Sequence, residues 1–253
     1  MHIEQRLELL DSLPPLPAAS MPTIRAFAPE VPIDPNKPSG TVGNEMVNLF
    51  MAGTGEQNRR DVNSCKQLVQ HAATKLYDPQ KELYQWYKYY VDTLQKLGWI
   101  TQASQLKEQT IKRSGLTMDT VALYVMQGFV GANISKLAEL AGKGLAKIKQ
   151  SDGLVDIYNG TANVGSDAKF DMSPIWETKE GYPMMILNCN TLNVRESSRG
   201  ILWWKSTTQE TRIKTAAQAV YLNVDVYAGI RQAVLDKIGA TAKNALADIP
   251  NMD

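Results

Sequence analysis

Histidine and cysteine are scarce in this chain of 253 residues, with two of each: His2, His71, Cys65 and Cys189. Two histidines leave almost no material for a nucleophile, base and orienting acid. Cys65 and His71 stand six apart, about 240° around a helix, and so do not meet locally. No close His/Cys pair has the spacing of a zinc site, so no metal is expected. Two distant cysteines do not make a disulfide scaffold. The sequence therefore offers no catalytic constellation, and a non-enzymatic role is the expectation.

Long apolar runs are missing as well. The nearest, Val121 to Ile134, is interrupted by Gln127, Gly128 and Gly131, short of the roughly 18 apolar residues of a spanning helix. The opening Met-His-Ile-Glu-Gln-Arg-Leu-Glu-Leu-Leu places acidic residues within its apolar pattern. It has no basic stretch followed by an apolar core, so synthesis in the cytoplasm without a Sec signal is expected. A surplus of charge is absent too: 27 basic and 26 acidic residues give +1. Nucleic-acid binders need a concentrated basic surface, and nucleic acid is not an expected partner. Gly53-Thr54-Gly55 is followed by no Gly-Lys-Ser/Thr, and reads as a turn rather than a phosphate loop.

What is present is ordinary globular material, 43% hydrophobic and 21% charged, enough for a full core. Eight of the twelve prolines fall between Pro14 and Pro38, so residues 14–40 read as an extended arm. Its apolar residues suggest that it lies across the body. Helical spacing marks Ile3 to Leu13, Glu45 to Met51, Gln57 to Tyr77, a segment closed by Gly98, Thr101 to Arg113, Met118 to Met126 and Asn133 to Gln150. In the segment before Gly98, Trp86, Tyr89 and Tyr90 are placed on one face, with Tyr87 turned toward Tyr84 and Val91.

β-branched and aromatic enrichment marks strands at Leu154 to Tyr158, Lys169 to Trp176, Met184 to Val194, Gly200 to Thr207 and Ala219 to Tyr227. A final helix is predicted from about Ala228 to Ile249. Helices, then strands, then a helix argue for an α+β fold with a mostly antiparallel C-terminal sheet. The chain reads as one intertwined domain over 1–253, with 43–150 mainly helical and 153–253 strands plus a terminal helix.

Ile134 to Gln150 is small, cationic and amphipathic, and Gly229 to Ile249 is similar though less basic; either suits a membrane surface or an ordinary surface helix. The adjacent Trp203 and Trp204 must face opposite ways on a strand. Cys189 is the principal candidate site. Strand geometry puts its thiol on the face of Met185 and Leu187, where it is either a small core hydrophobe or an acylated thiol. Burying the fourteen methylenes of a sixteen-carbon chain would gain roughly 11 kcal/mol at about 0.8 each.

In length, in its mixture of helices and strands, and in the late apolar segment Leu187-Asn188-Cys189-Asn190, the chain resembles the Erwinia virulence factor family. That resemblance implies an intertwined α/β fold, a palmitoyl thioester on a central cysteine, here Cys189, and association with host membranes; Met185 and Leu187, on the face of the thiol, are the residues expected to line a pocket for the chain. Cys65 departs from the single-cysteine pattern and leaves the acyl site in doubt. A virulence or toxin-like protein anchored at a lipid membrane is the leading expectation, delivered to host cells, with covalent palmitate as its one cofactor. A helical pore-former and a cysteine acyltransferase or hydrolase using Cys189 and His71 are the alternatives.

Overall fold

The computed structural model describes residues 1–16, 33–79, 81–111, 115–126, 134–159, 167–193, 202, 211–242 and 246–252. The fold is α+β, as expected from the sequence. One seven-stranded sheet runs in the order β3-β6-β5-β4-β2-β1-β7, and helices cover both faces. The strands are β1 (Ser39–Gly43), β2 (Met46–Phe50), β3 (Trp99–Ile111), β4 (Asp167–Glu177), β5 (Pro183–Asn193), β6 (Thr211–Leu222) and β7 (Ala247–Ile249). All neighbours pair antiparallel except β2 and β4, which run parallel from Met46↔Asp171 to Phe50↔Ile175.

Period-two alternation divides the sheet between two cores. Ile175, Met185, Leu187 and Cys189 face one side, where they meet α2 (Glu56–Leu76), α3 (Leu83–Lys96) and residues of the C-terminal helix pair α7 (Val224–Ala228) and α8 (Arg231–Ala242). Phe170, Met172 and Ile186 face the other, against α4 (Met118–Met126), α5 (Ile134–Lys149) and α6 (Asp152–Asn159). The N-terminal α1 (Ile3–Ser12) adds Leu10 to the first core.

Two glycines matter to this packing. Gly98 takes φ +108 between α3 and β3, the left-handed stop that lets the chain reverse onto the sheet. At Gly144 an added Cβ would stand 2.5 Å from Leu49 Cδ2. Gly144 is thus where α5 packs directly onto Leu49 of β2.

Several elements differ from their sequence patterns. Glu45 to Met51 is strand β2, not helix, and all five of its residues are buried; a short apolar run does not distinguish a buried strand from a helix. Thr101 to Arg113 falls largely in β3, an edge strand held by its pairing with β6, and its polar composition is typical of an edge. Leu154 to Tyr158 belongs to helix α6. Ala219 to Tyr227 stops being strand at Leu222, because Asn223 caps α7 by accepting from the Val226 N–H at 3.1 Å. The predicted terminal helix breaks at Gly239, φ +70, and Ala247–Ile249 joins β1 as β7. Residues 43–150 therefore carry strands as well as helices. Most of the arm and of Gly200 to Thr207, including Trp203 and Trp204, lie outside the described residues.

Candidate functional site

Cys189 sits mid-strand in β5, opposite Asp171 of β4 and Ala216 of β6. Alternation carries its thiol into the core beneath α2 and α3, with Met185 and Leu187 in the same cluster. It is 1% exposed, and burial pushes its pKa up to about 12, with Lys169 pulling the other way. At pH 7.5 fewer than about one such thiol in ten thousand is ionised. Cys65 on α2 is equally enclosed, and burial raises it to about 12. His71 is not brought to either thiol. Its Nε2 has no partner, its backbone bond is to Pro15, and burial beside Lys75 lowers its pKa.

What the fold gathers around Cys189 is a seam of buried charge between α2 and the sheet. Lys66 projects from α2 and donates to Asn48 Oδ1 at 2.7 Å, Ser173 Oγ at 2.7 Å and Asp171 Oδ1 at 3.2 Å. Ser173 also donates to Asp171 Oδ1, at 2.9 Å. Lys66 and Asp171 are 0% and 1% exposed. Burial holds the Lys66 amine below its ordinary value, and Asp171 opposes that shift.

One residue pair along β4, Lys169 lies 4.8 Å from the centre of the Trp86 ring on α3, a cation–π contact. Its Nζ and Asp171 Oδ2 have no hydrogen-bond partner. Glu45, at φ +52 in the β1–β2 turn, is the second acid near this group, and burial raises its pKa. In the second turn of α2, Asp61 takes a bidentate bond from Arg231 of α8, with both closest distances 2.9 Å.

Sequence reading overlooked this seam, yet it left two signals. Lys66 stands inside the apolar stripe of Val62, Cys65, Leu68 and Val69. In β4, Lys169, Asp171 and Ser173 alternate with Phe170 and Met172. Buried charges of this kind are retained only with partners.

The other candidates resolve into structure. Trp86, Tyr87 and Tyr90 are buried together, whereas Tyr89 is only half-buried; Tyr87 therefore belongs to the inner face of α3, contrary to its expected placement. The rings of Trp86 and Tyr90 lie 5.0 Å apart. Gly53-Thr54-Gly55 forms the turn before α2, and the Gly55 N–H donates to Glu177. In α5, Leu137, Leu140, Leu145 and Ile148 are buried in the second core while Lys136 and Lys147 are exposed. Its amphipathic face is occupied by the sheet. Among the described residues, no group of three or more His, Cys, Asp or Glu could hold a metal, and no helix is long and apolar enough to cross a membrane.

No family pattern matches the chain, and no curated protein matches it. Among solved structures it is similar to the Evf virulence factor, at 12% identity and TM-score 0.36, over 81% of this chain and 83% of that one. It is also similar to a delta-endotoxin, at 11% identity and TM-score 0.39, over 84% of this chain and 96% of that one. Neither likeness assigns the chain to a family.

Proposed function

We propose that this is a toxin-like virulence protein that acts at membranes, by parting its helical layers from the sheet. The observation that supports this reading is the length of four adjacent strands. β3, β4, β5 and β6 run 13, 11, 11 and 12 residues, about twice the usual five or six. A tilted strand crosses a bilayer in about 9–11 residues. Strands can enter hydrocarbon only as a closed set with every backbone group paired, so insertion requires several copies.

In β4, Phe170, Met172 and Trp176 would then face lipid, and Lys169, Asp171 and Ser173 a water-filled interior. Both sets are covered by helices in the folded chain, the first by α4–α6 and the second by α2 and α3, so both covers must part, and the buried seam holds the second one down. The cationic face of α5, through Lys136 and Lys147, supplies first contact with an anionic surface.

An acyl chain on Cys189 is proposed as a separate anchor, supported by the apolar setting of the thiol beside Met185 and Leu187; Cys189 shares the sheet face of Asp171, so this anchor serves the chain before its strands insert. With the thiol buried and protonated, attachment requires the core to open or precedes its closure. Intact mass before and after hydroxylamine tests this: a labile increment of one fatty acyl group on the Cys189 peptide supports it, and an unmodified mass from the native host rejects it. The membrane reading itself is tested by dye release from vesicles. Asp171→Asn, which removes the counter-charge of Lys66, is expected to release dye faster than the unaltered chain. Equal rates would argue against parting at the seam.

A further inference from the structure

A second polar site lies away from Cys189, at the other end of the α2–sheet junction. A cavity of about 720 Å³ opens between β1, the first half of α2 and β7, with Pro35, Thr41, Phe50, Arg59, Asn63 and Asp248 on its walls. Pockets of 300–1,000 Å³ accept small organic molecules. Nothing in the proposed membrane action uses it.

Arg59 is the unusual member. It is 6% exposed, and the chain fixes its guanidinium on three sides. Nε donates to the Thr54 carbonyl at 2.9 Å, Nη1 donates to Ser39 Oγ at 2.6 Å, and the group lies 5.6 Å from the Phe50 ring centre. Nη2 has no partner. Carboxylates stand nearby, in order of influence Glu177, Asp248, Asp34 and Glu56, but burial outweighs them and lowers the Arg59 pKa. Glu177 is already engaged by the Gly55 N–H and Asn58, and Glu56 pairs with Arg60.

A buried guanidinium with a free N–H pair and no carboxylate bonded to it is costly unless an acceptor arrives. A planar fork of this kind suits a carboxylate or phosphate oxygen pair. Asn63 adds to the same wall. Its Oδ1 accepts from Thr41 at 2.9 Å and from Asn48 at 2.8 Å, which leaves its amide nitrogen to donate elsewhere.

We propose that this cavity binds a small organic oxyanion, its charged head drawn to the Arg59 guanidinium and the amide of Asn63, its apolar body against Phe50 and Pro35. Asp248 and Glu56, also on the wall, oppose a second anionic group. The ligand is therefore singly headed, with an uncharged or cationic remainder. The head is the same chemistry whether it belongs to a soluble phosphomonoester or to a phosphate on a lipid.

The test is calorimetric titration of the full chain with phenyl phosphate, benzoate, inorganic phosphate and phenol, and with vesicles of neutral lipid alone or carrying phosphatidic acid. Saturable binding of phenyl phosphate or benzoate, at least ten-fold tighter than phenol, supports a soluble ligand. Binding confined to the phosphatidic acid vesicles supports the lipid source, provided the variants below weaken it. Arg59→Gln should weaken binding at least ten-fold. Because Arg59 also supports the fold, Asn63→Asp is the companion variant. It keeps both accepted hydrogen bonds, adds a negative charge to the wall and should weaken binding by a similar factor. The proposal is overturned if no probe binds saturably, or if binding is unchanged in Asn63→Asp. Vesicle leakage by the unaltered chain would be unaffected by either failure, so the two readings are separable.

Discussion

At the scale of single residues, the seam makes sharp demands. Lys66 and Asp171 each hold the other in a dry interior, and removing one leaves the other as an uncompensated charge, at a cost of about 3–5 kcal/mol. Lys66→Met and Asp171→Leu should each destabilise the chain by that amount in urea unfolding. The double variant should cost clearly less than the sum, since both charges leave together.

Lys66 also gives a pH signature. Burial lowers its folded pKa below 10.5, so above that lowered value and up to 10.5 the unfolded chain binds more protons. Stability contributed by Lys66 therefore rises with pH through that window and is lost as pH falls through the folded pKa. The alkaline rise should flatten in Lys66→Met, read as unfolding midpoints between pH 7 and 10. The two thiols, each near 12 and enclosed, should resist a disulfide reagent in the native chain at pH 8 and both react once the chain is unfolded. A Cys189 that reacts at once in the native state would contradict the burial described.

At the scale of elements, the packing of α5 is the most direct prediction. Gly144→Val forces a Cβ against Leu49 and should cost about 1–3 kcal/mol. Gly142 has nothing within 4 Å of an added Cβ, and Gly142→Ala should stabilise by about 0.5–1 kcal/mol. Thermal unfolding of the two variants should move in opposite directions.

The same element shows what sequence could reveal. The apolar spacing in α2, α3 and α5, the stop at Gly98 and the alternation in β4 and β5 were legible because each is a local pattern. β3 was not: Gln105, Lys107 and Glu108 have no strand preference, and their strand exists because β6 lies beside them. Local spacing also misled at Val224 and Val226, where Asn223 ends one element and caps the next. Cys189 could be placed on its strand face from alternation alone. Its neighbours Lys66 and Tyr87 could not, because they come from helices about a hundred residues away.

At the scale of the whole molecule, the account joins two properties: long strands closed off by helices on both faces, and a cover secured through buried charge rather than apolar contact alone. Charge of this kind stabilises only while its partners stay in place, so one lost contact exposes the others. On the proposed function, first contact with an anionic surface is made by the cationic face of α5, and screening by salt should weaken that step.

Release of a trapped dye from vesicles containing anionic lipid, measured with the unaltered, unacylated chain, tests this most directly. The account predicts concentration-dependent leakage, steeper than first order because a closed set of strands needs several copies, and faster with Asp171→Asn. Intact vesicles at every protein concentration, with the chain left in solution, would contradict it.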